Sequence, residues 1–196
     1  LETISRSVPL WQSDINCRKG SEDAHQAQNV CLSLYIPLHT PCAWQADSYE
    51  MRSVVTAGLV MQLPYLEKGF SAAQARKLVD EVKQYRKFWY GDLYPMTPIS
   101  PEADKYIAFA LYRPDLGEGI AMCFRRAKCE NKPLELKFEM LDPTREYWIW
   151  SVDGLVPRAR KSGRELLTTG ISIHLPGPRT SDVIRFRDAA KGEPKQ

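Results

Sequence analysis

The chain has 196 residues, of which 43% are hydrophobic and 26% charged, an ordinary composition for a globular protein. Lysine and arginine total 27 against 24 acidic residues, and the resulting formal charge of +3 is scattered along the chain. Nucleic-acid-binding proteins usually concentrate their basic residues on one face. No apolar stretch approaches the roughly 18 residues that cross a bilayer. We therefore expect neither a nucleic-acid partner nor a membrane partner.

Cysteine and histidine usage gives no sign of a metal site or a cofactor. None of the five cysteines has zinc-type CxxC spacing, and we expect them to be small buried hydrophobic residues. The three histidines lie far apart in sequence, which makes a histidine-rich metal site improbable. The chain starts at Leu1 without a signal-peptide pattern, which indicates an internal cut or a processed end and identifies no compartment.

Three short apolar runs in the first part of the chain are compatible with buried strands of a parallel sheet. They are residues 7–11 (SVPLW), 31–36 (CLSLYI) and 60–65 (VMQLPY). Strands buried on both faces have near-continuous apolar sequences, although the length of such a run does not exclude a helix.

A helix is predicted over residues 72–89. Ser71 and Gln74 have the spacing of a capping box, in which each side chain satisfies an N–H group of the first turn. Gly91 lies where a left-handed C-cap would end the helix. The apolar positions repeat at helical period and predict one buried face: Ala75, Leu78, Val79, Val82, Tyr85 and Trp89.

The segment 95–101 (PMTPISP) predicts a domain boundary, because three prolines in seven residues favour extended backbone. Beyond it, short segments with alternating apolar residues recur between turns, for example at 107–111, 134–140 and 171–175. Six or so such strands indicate an antiparallel β-sandwich. We predict a first domain over 1–95, a sandwich over 96–188 and a disordered tail over 189–196, which has too little apolar surface to fold.

Asp14 is the candidate catalytic residue. It follows the predicted strand SVPLW, and in a (β/α)₈ barrel the active site is built where the strands end. Trp11 would give an aromatic wall for a sugar ring, and a carboxyl against such a wall has a raised pKa and can donate a proton. Taken alone, the Ser13 and Asp14 pair is more typical of an Asx-turn or a helix N-cap.

Several segments, in a fixed order, resemble the C-terminal half of the melibiase or α-galactosidase family, glycoside hydrolase family 36. VPLWQSD resembles the family's strand that ends in its catalytic acid/base aspartate, and the stretch from Gln28 through SLYIPLH resembles the next barrel segment. SYEMRSVVTAGLVMQLPYL and YGDLYPMTP resemble the closing strand and the exit from the barrel. LDPTREYWI and SGRELLTTGISIHLP resemble the C-terminal β-domain.

The resemblance implies the last part of a (β/α)₈ TIM barrel followed by an antiparallel β-sandwich. It also implies a retaining hydrolase of terminal α-galactosides, with Asp14 as acid/base and Trp11 against the substrate. Ile15 stands where the family often has asparagine, and the Lys-Trp-Asp context of the family's nucleophile is absent. The expected partners are a galactoside and the rest of the barrel, whose absence would expose apolar surface and promote self-association. The alternatives are a non-catalytic carbohydrate-binding or structural sandwich and a catalytically dead relative.

The remaining candidates have ordinary explanations. Asp23, Asp47 and Asp92 lie in turn-like or helix-starting contexts, and we expect Trp44 to have a packing or exposed-loop role rather than to contact substrate. We also expect Trp148 and Trp150 to have packing roles. Two short basic clusters are expected to lie in solvated loops: Arg125 with Arg126, and Arg158 with Arg160 and Lys161.

Overall fold

The computed structural model describes residues 10–11, 20–36, 38–56, 58 and 60–194. The described residues form two compact units. The first unit takes in those up to Tyr90 together with Ile99–Glu102, and the second takes in Gly91–Pro98 and the chain from Ala103 onward. No helix in the described part of the chain is long and apolar enough to span a membrane.

The first unit alternates short strands with helices. Two pairs of its strands are parallel, β1 with β2 and β3 with β4, and only Pro41 separates β2 from β3. Parallel pairing agrees with the parallel sheet predicted for this part of the chain. The buried strand predicted over residues 60–65 is only partly found, because the strand is limited to Val60–Met61 and both side chains are exposed. Of the run 7–11, only Leu10 and Trp11 are among the described residues. The elements are β1 (Leu10–Trp11), α1 (Glu22–Ser33), β2 (His39–Thr40), β3 (Cys42–Ala43), α2 (Ser48–Ser53), β4 (Val60–Met61), α3 (Ala72–Lys83) and a 3₁₀ turn at Arg86–Phe88.

The strand predicted over residues 31–36 is wrong. Its first three residues are the last turn of α1, and the chain then turns at Leu34 and Tyr35, which are 47% and 84% exposed. The preceding sequence explains the difference, because α1 buries Ala27 and Val30 on one face and its helical hydrogen bonding runs on to Ser33, whose hydroxyl donates to the Asn29 carbonyl at 2.9 Å. An apolar run of six residues cannot by itself distinguish the end of a helix from a strand.

Helix α3 begins as predicted, since the Ser71 hydroxyl accepts a hydrogen bond from the Gln74 N–H at 3.2 Å. It ends at Lys83, earlier than predicted, and the 3₁₀ turn that follows continues the buried face. Gly91 does not have the left-handed conformation expected of a C-cap. The residues buried along this face are Ala75, Leu78, Val82, Tyr85 and Phe88.

The second unit is built on a six-stranded antiparallel sheet with the strand order β10-β9-β12-β7-β6-β5. A separate antiparallel pair, β8 with β11, and a six-residue helix, α4, complete it. A hairpin joins β6 to β7, and Gly117 in its turn has a φ of 65°. The strands are β5 (Asp92–Pro95), β6 (Ile107–Arg113), β7 (Glu118–Arg125), β8 (Leu134–Leu136), β9 (Glu146–Ser151), β10 (Ala159–Ser162), β11 (Ile171–Ile173) and β12 (Thr180–Asp188), and α4 is Gly163–Thr168.

The core of the second unit lies against one face of the large sheet. Ala110 of β6 and Ala121 of β7 lie on this face together with Phe186 of β12, whose ring meets the Phe138 ring edge to face at 5.3 Å. Gly119 has to be glycine, because a Cβ there would lie 2.2 Å from the Phe186 ring. Leucine and isoleucine side chains from β8, β11 and α4 belong to the same core: Leu134, Leu136, Leu166, Ile171 and Ile173. This arrangement agrees with an antiparallel β-domain.

Three details of the second unit depart from expectation. Strand β8 stops at Leu136, because the next buried residue, Phe138, donates its N–H to the Leu166 carbonyl of α4 instead of to a strand. Arg125 and Arg126 are buried rather than solvated, and Arg125 donates to the Leu175 carbonyl at 3.0 Å. The second basic cluster lies on the edge strand β10 rather than in a loop, apart from Arg158, which precedes it.

The start of the segment predicted to be a disordered tail has regular structure. Ala189–Lys191 form a 3₁₀ turn. The Asp188 side chain caps it by accepting a hydrogen bond from the Ala190 N–H at 2.9 Å. The Pro194 carbonyl accepts a hydrogen bond from Arg158 at 3.3 Å.

Candidate functional site

The carboxyl ends of the parallel strands define where a site can form in the first unit. Trp11, the last residue of β1, pairs with Thr40, and Ala43, the last residue of β3, pairs with Met61. In parallel α/β folds the residues that follow such strands line the ligand site. Asp14 and the side chain of Trp11 lie outside the described residues, so their assigned roles remain predictions.

A cleft of about 340 Å³ lies beyond the ends of β3 and β4. One wall is the loop that follows β3, and the other is the loop that follows β4 together with the first turn of α3. Its lining mixes polar and apolar surface and includes two side-chain amides, both signs of charge and one aromatic ring: Gln45, Ala46, Asp47, Pro64, Glu67, Lys68, Gly69, Phe70, Ser71 and Gln74.

Glu50 anchors the loop that follows β3. One oxygen of its carboxyl, Oε1, accepts hydrogen bonds from the Trp44 N–H at 2.5 Å and the Gln45 N–H at 2.9 Å. Asp47 caps α2 by accepting from the Glu50 N–H at 2.8 Å. Asp47 and Glu50 therefore have capping-box spacing, but the glutamate reaches past the cap residue and holds two N–H groups of the loop instead.

The Glu50 side chain is fully buried. Burial raises the pKa of its carboxyl to about 7, the N–H groups of Trp44 and Gln45 oppose this, and the charges of Asp47 and Glu22 add to it. The second oxygen, Oε2, is buried and has no hydrogen-bond partner among the described residues. The anchor of the cleft wall is therefore a carboxyl that changes charge near neutral pH.

Buried hydrogen bonds join α1 to α2 in the first unit. The Gln26 amide donates to the Ser53 hydroxyl at 2.8 Å, and the Asn29 amide donates to the Ser53 carbonyl at 2.9 Å. His39, at the start of β2, is fully buried with Nε2 2.6 Å from the Ser33 hydroxyl. Burial lowers the pKa of His39 to about 4, so the imidazole is neutral at physiological pH and serves as a hydrogen-bonding core residue.

A buried ion pair joins α2 to α3. Arg52 Nε and Nη2 donate to the two carboxylate oxygens of Glu81 at 2.7 and 3.1 Å, and the Tyr85 hydroxyl donates to the same carboxylate at 2.9 Å. The arginine side chain is 2% exposed. Bidentate contact fixes the direction of both side chains, so α2, which carries Glu50, is held in a defined position against α3.

Two of the other carboxylates singled out from the sequence, Asp23 and Asp47, have structural roles. Asp23 accepts a hydrogen bond from the Tyr49 hydroxyl at 2.9 Å, and Asp47 is the cap of α2. Asp92 is exposed at the start of β5. Trp44 is half-buried beside the cleft loop, and in the second unit Trp150 lies beneath the Arg158 guanidinium at 5.5 Å.

Sequence reasoning missed Glu50, His39 and Arg52. The spacing of Asp47 and Glu50 was a usable signal, because it is that of a capping box. The sequence does not distinguish a glutamate that accepts a hydrogen bond from the N–H of the N-cap residue from a glutamate that is buried under a loop. Within the described residues no group of three or more His, Cys, Asp or Glu could hold a metal ion. Of the four described cysteines, Cys42, Cys123 and Cys129 are buried as expected, and Cys31, contrary to expectation, is exposed.

No protein-family model and no curated protein sequence matches the chain. Solved structures do match. The galactosidase domain of an α-galactosidase–sucrose kinase has a TM-score of 0.68 and 13% identity over 87% of this chain and 25% of that chain. The α-galactosidase of Lactobacillus brevis has a TM-score of 0.65 and 14% identity over 89% and 26%. A family 36 α-galactosidase variant of Geobacillus stearothermophilus in complex with raffinose has a TM-score of 0.66 and 16% identity over 87% and 25%.

The chain thus spans about a quarter of the length of the structures it matches. At 13–16% identity the likeness shows the fold. The resemblance to glycoside hydrolase family 36 that the sequence indicated is confirmed at that level.

Proposed function

We propose that these 196 residues are the C-terminal part of a retaining glycoside hydrolase that cleaves terminal α-galactosides or similar α-linked sugars. The observation that carries the proposal is the fold, which matches α-galactosidases over 87–89% of the chain. Independent support comes from the sequence segments that resemble family 36 in the same order.

In this proposal residues 1–95 are the last part of a (β/α)₈ barrel, and residues 96–188 are an accessory β-sandwich. The parallel pairs β1–β2 and β3–β4 are consistent with neighbouring barrel strands. The remaining strands would come from the rest of the parent protein. The antiparallel second unit fits an appended β-domain.

Asp14 would act as the general acid/base. It would protonate the glycosidic oxygen as the bond to the anomeric carbon breaks, and would later remove a proton from the water that attacks that carbon. A retaining mechanism needs a second carboxylate about 5–5.5 Å away as nucleophile. That carboxylate would lie on an earlier strand outside these residues. Trp11 would pack against the sugar ring and exclude water from the reacting bond.

The test uses the full-length natural protein with 4-nitrophenyl α-galactoside and, as the matched control, 4-nitrophenyl β-galactoside. We expect turnover of the α-anomer alone, with the α-anomer of galactose as the first product seen by NMR. The 196-residue chain by itself should be inactive, because it would lack the nucleophile. Absence of turnover by the full-length protein would favour a catalytically dead relative or a sugar-binding module.

A further inference from the structure

A second cleft, the edge cleft, has a volume of about 280 Å³ and lies within the second unit. Among the described residues β5 pairs only with β6, and β8 pairs only with β11, so each of these strands has one free edge. A free edge presents N–H and C=O groups to which another strand can bind. The lining of the edge cleft comes from β5 with the next residue, and from β8 with the loop after it: Tyr94, Pro95 and Met96; Glu135, Lys137, Glu139 and Met140.

The floor of the edge cleft is an incompletely covered part of the core of the second unit. The side chains of Tyr94, Met96 and Met140 pack against the buried core and are only half-buried themselves. In a β-sandwich the two layers cover each other's apolar faces. The large sheet ends at β5, so a further strand on the free edge of β5 would cover these three side chains.

The rim of the edge cleft is charged. Glu135, Lys137 and Glu139 are exposed and alternate with the buried Leu136 and Phe138, so the three charged side chains form a row on one side of the chain. The Glu135 carboxylate accepts a hydrogen bond from the neighbouring strand β11, which fixes one end of this row.

The charges around the edge cleft favour a basic occupant. Glu135 and Glu139 outnumber Lys137 on the rim. Burial, and then the neighbouring Asp92 carboxylate, raise the pKa of the Tyr94 phenol, which puts a third carboxylate beside the cleft. Three carboxylates against one ammonium group are complementary to arginine and lysine side chains. An anionic ligand would need an excess of cations, which this lining does not have.

We propose that the edge cleft docks an extended segment of a partner protein that carries arginine or lysine at alternate positions. Its backbone would pair with the free edge of β5 and add one strand to the sheet. Alternate side chains of a strand point to the same face, so the basic side chains would enter the cleft together. Their aliphatic stems would cover the two methionines, and their charged ends would reach Glu135 and Glu139. Stacking on the Tyr94 ring favours arginine over lysine.

Strand β5 is built so that backbone pairing alone would be weak. It has four residues, and its last residue, Pro95, has no N–H group to donate. Short edge strands and prolines prevent indiscriminate pairing between sheet edges. The side chains in the cleft would therefore decide which segment binds, and a segment without correctly spaced basic residues would be rejected.

The experiment titrates the full-length protein with a blocked peptide in which two arginines alternate with threonines, and calorimetry measures the affinity. One matched probe replaces both arginines by citrulline, which keeps the length of the side chain without its charge. Another methylates alternate backbone N–H groups, which prevents strand pairing. We expect the arginine peptide to bind and each matched probe to bind at least about 10-fold more weakly, because it lacks the ion pairs or the backbone hydrogen bonds.

A pair of protein variants tests the rim. The double variant Glu135→Lys with Glu139→Lys reverses its charge and should weaken binding of the arginine peptide about 10-fold, through loss of two exposed ion pairs. The matched control, Glu130→Lys with Glu193→Lys, makes the same change of net charge outside the cleft, at side chains that are 79% and 62% exposed. Screening at about 0.15 M salt should keep its effect within about twofold.

Any of four results would overturn the inference. They are no binding of the arginine peptide at millimolar concentration, equal binding of either matched probe, an unchanged affinity of the rim variant, and displacement of the peptide by galactose, which would assign the cleft to a sugar. None of these results bears on the proposed function, because the edge cleft lies in the second unit and the proposed hydrolysis takes place in the first.

Discussion

The Glu50→Gln variant should gain stability relative to the unsubstituted protein as the pH rises from acidic to alkaline. Burial raises the pKa of this carboxyl from 4.5 to about 7, so the folded protein keeps a proton that the unfolded chain has lost. Rising pH therefore favours unfolding. The stabilisation from protonated Glu50 is complete below about pH 4.5 and is lost as pH rises through about 7.

The full difference between these pKa values corresponds to about 3 kcal/mol, of which about 2.5 kcal/mol falls between roughly pH 5 and 8.5. His39 has the opposite effect, because burial lowers its pKa from 6.5 to about 4 and stability rises with pH in that range. The two effects partly cancel in the unsubstituted protein. The His39 contribution is the same in both proteins, so it cancels when the free energy of unfolding of Glu50→Gln is compared with that of the unsubstituted protein. The remaining pH dependence is that of Glu50.

The measurement is urea unfolding of both proteins at about pH 5 and about pH 8.5. The glutamine places a buried NH₂ group where Oε2 has no partner among the described residues, which costs about 1–3 kcal/mol and does not depend on pH. The free-energy difference between the two proteins should nevertheless shift in favour of Glu50→Gln by about 2.5 kcal/mol as pH rises. Glu67→Gln, at an exposed carboxyl of the cleft beyond β3 and β4, should show no such shift. An unchanged difference at the two pH values would refute the assignment of a buried, raised-pKa carboxyl.

Three stability predictions follow from single contacts. Arg52→Met should lower the free energy of unfolding by about 3–5 kcal/mol, because it leaves the Glu81 carboxylate without its buried partner, and urea unfolding measures it. Gly163→Ala should destabilise by at least about 1–3 kcal/mol, since its Cβ would lie 2.0 Å from the Asp142 carbonyl oxygen, and an unchanged Tm would contradict that packing. Ser71→Ala should cost about 0.5–2 kcal/mol through loss of the α3 cap, with Ser71→Thr as the control that keeps a hydroxyl.

The sequence predicts elements well where local periodicity and burial agree. The alternation around Ile107 and the capping pair at Ser71 each lead to the element found. Prediction fails where one local pattern is compatible with both a helix and a strand. The apolar run of residues 31–36 is an example, since its first residues are the last turn of a helix. Prediction also misses the edge strands β5 and β10, because an edge strand is solvated on one side and lacks a regular apolar pattern.

The site is less predictable than the fold because its properties depend on contacts across the unit. Glu50 is an ordinary acidic residue in sequence, and its raised pKa comes from burial beneath the loop after β3. The Arg52 and Glu81 pair spans 29 positions of the chain. Asp14, by contrast, was singled out by its place after an apolar run and by the family resemblance, which are both sequence observations.

The most direct test of the central proposal is the leaving-group dependence of Asp14→Asn in the full-length protein. Loss of the general acid should lower the rate about 10²–10⁴-fold for raffinose, whose leaving group needs a proton, and should slow galactosylation far less for an activated aryl galactoside. Azide, which needs no base, should restore turnover when Asp14 is replaced by Ala or Gly. Equal losses on both substrates, with no azide rescue and a stability loss of about 0.5–2 kcal/mol, would instead identify Asp14 as a cap or turn residue.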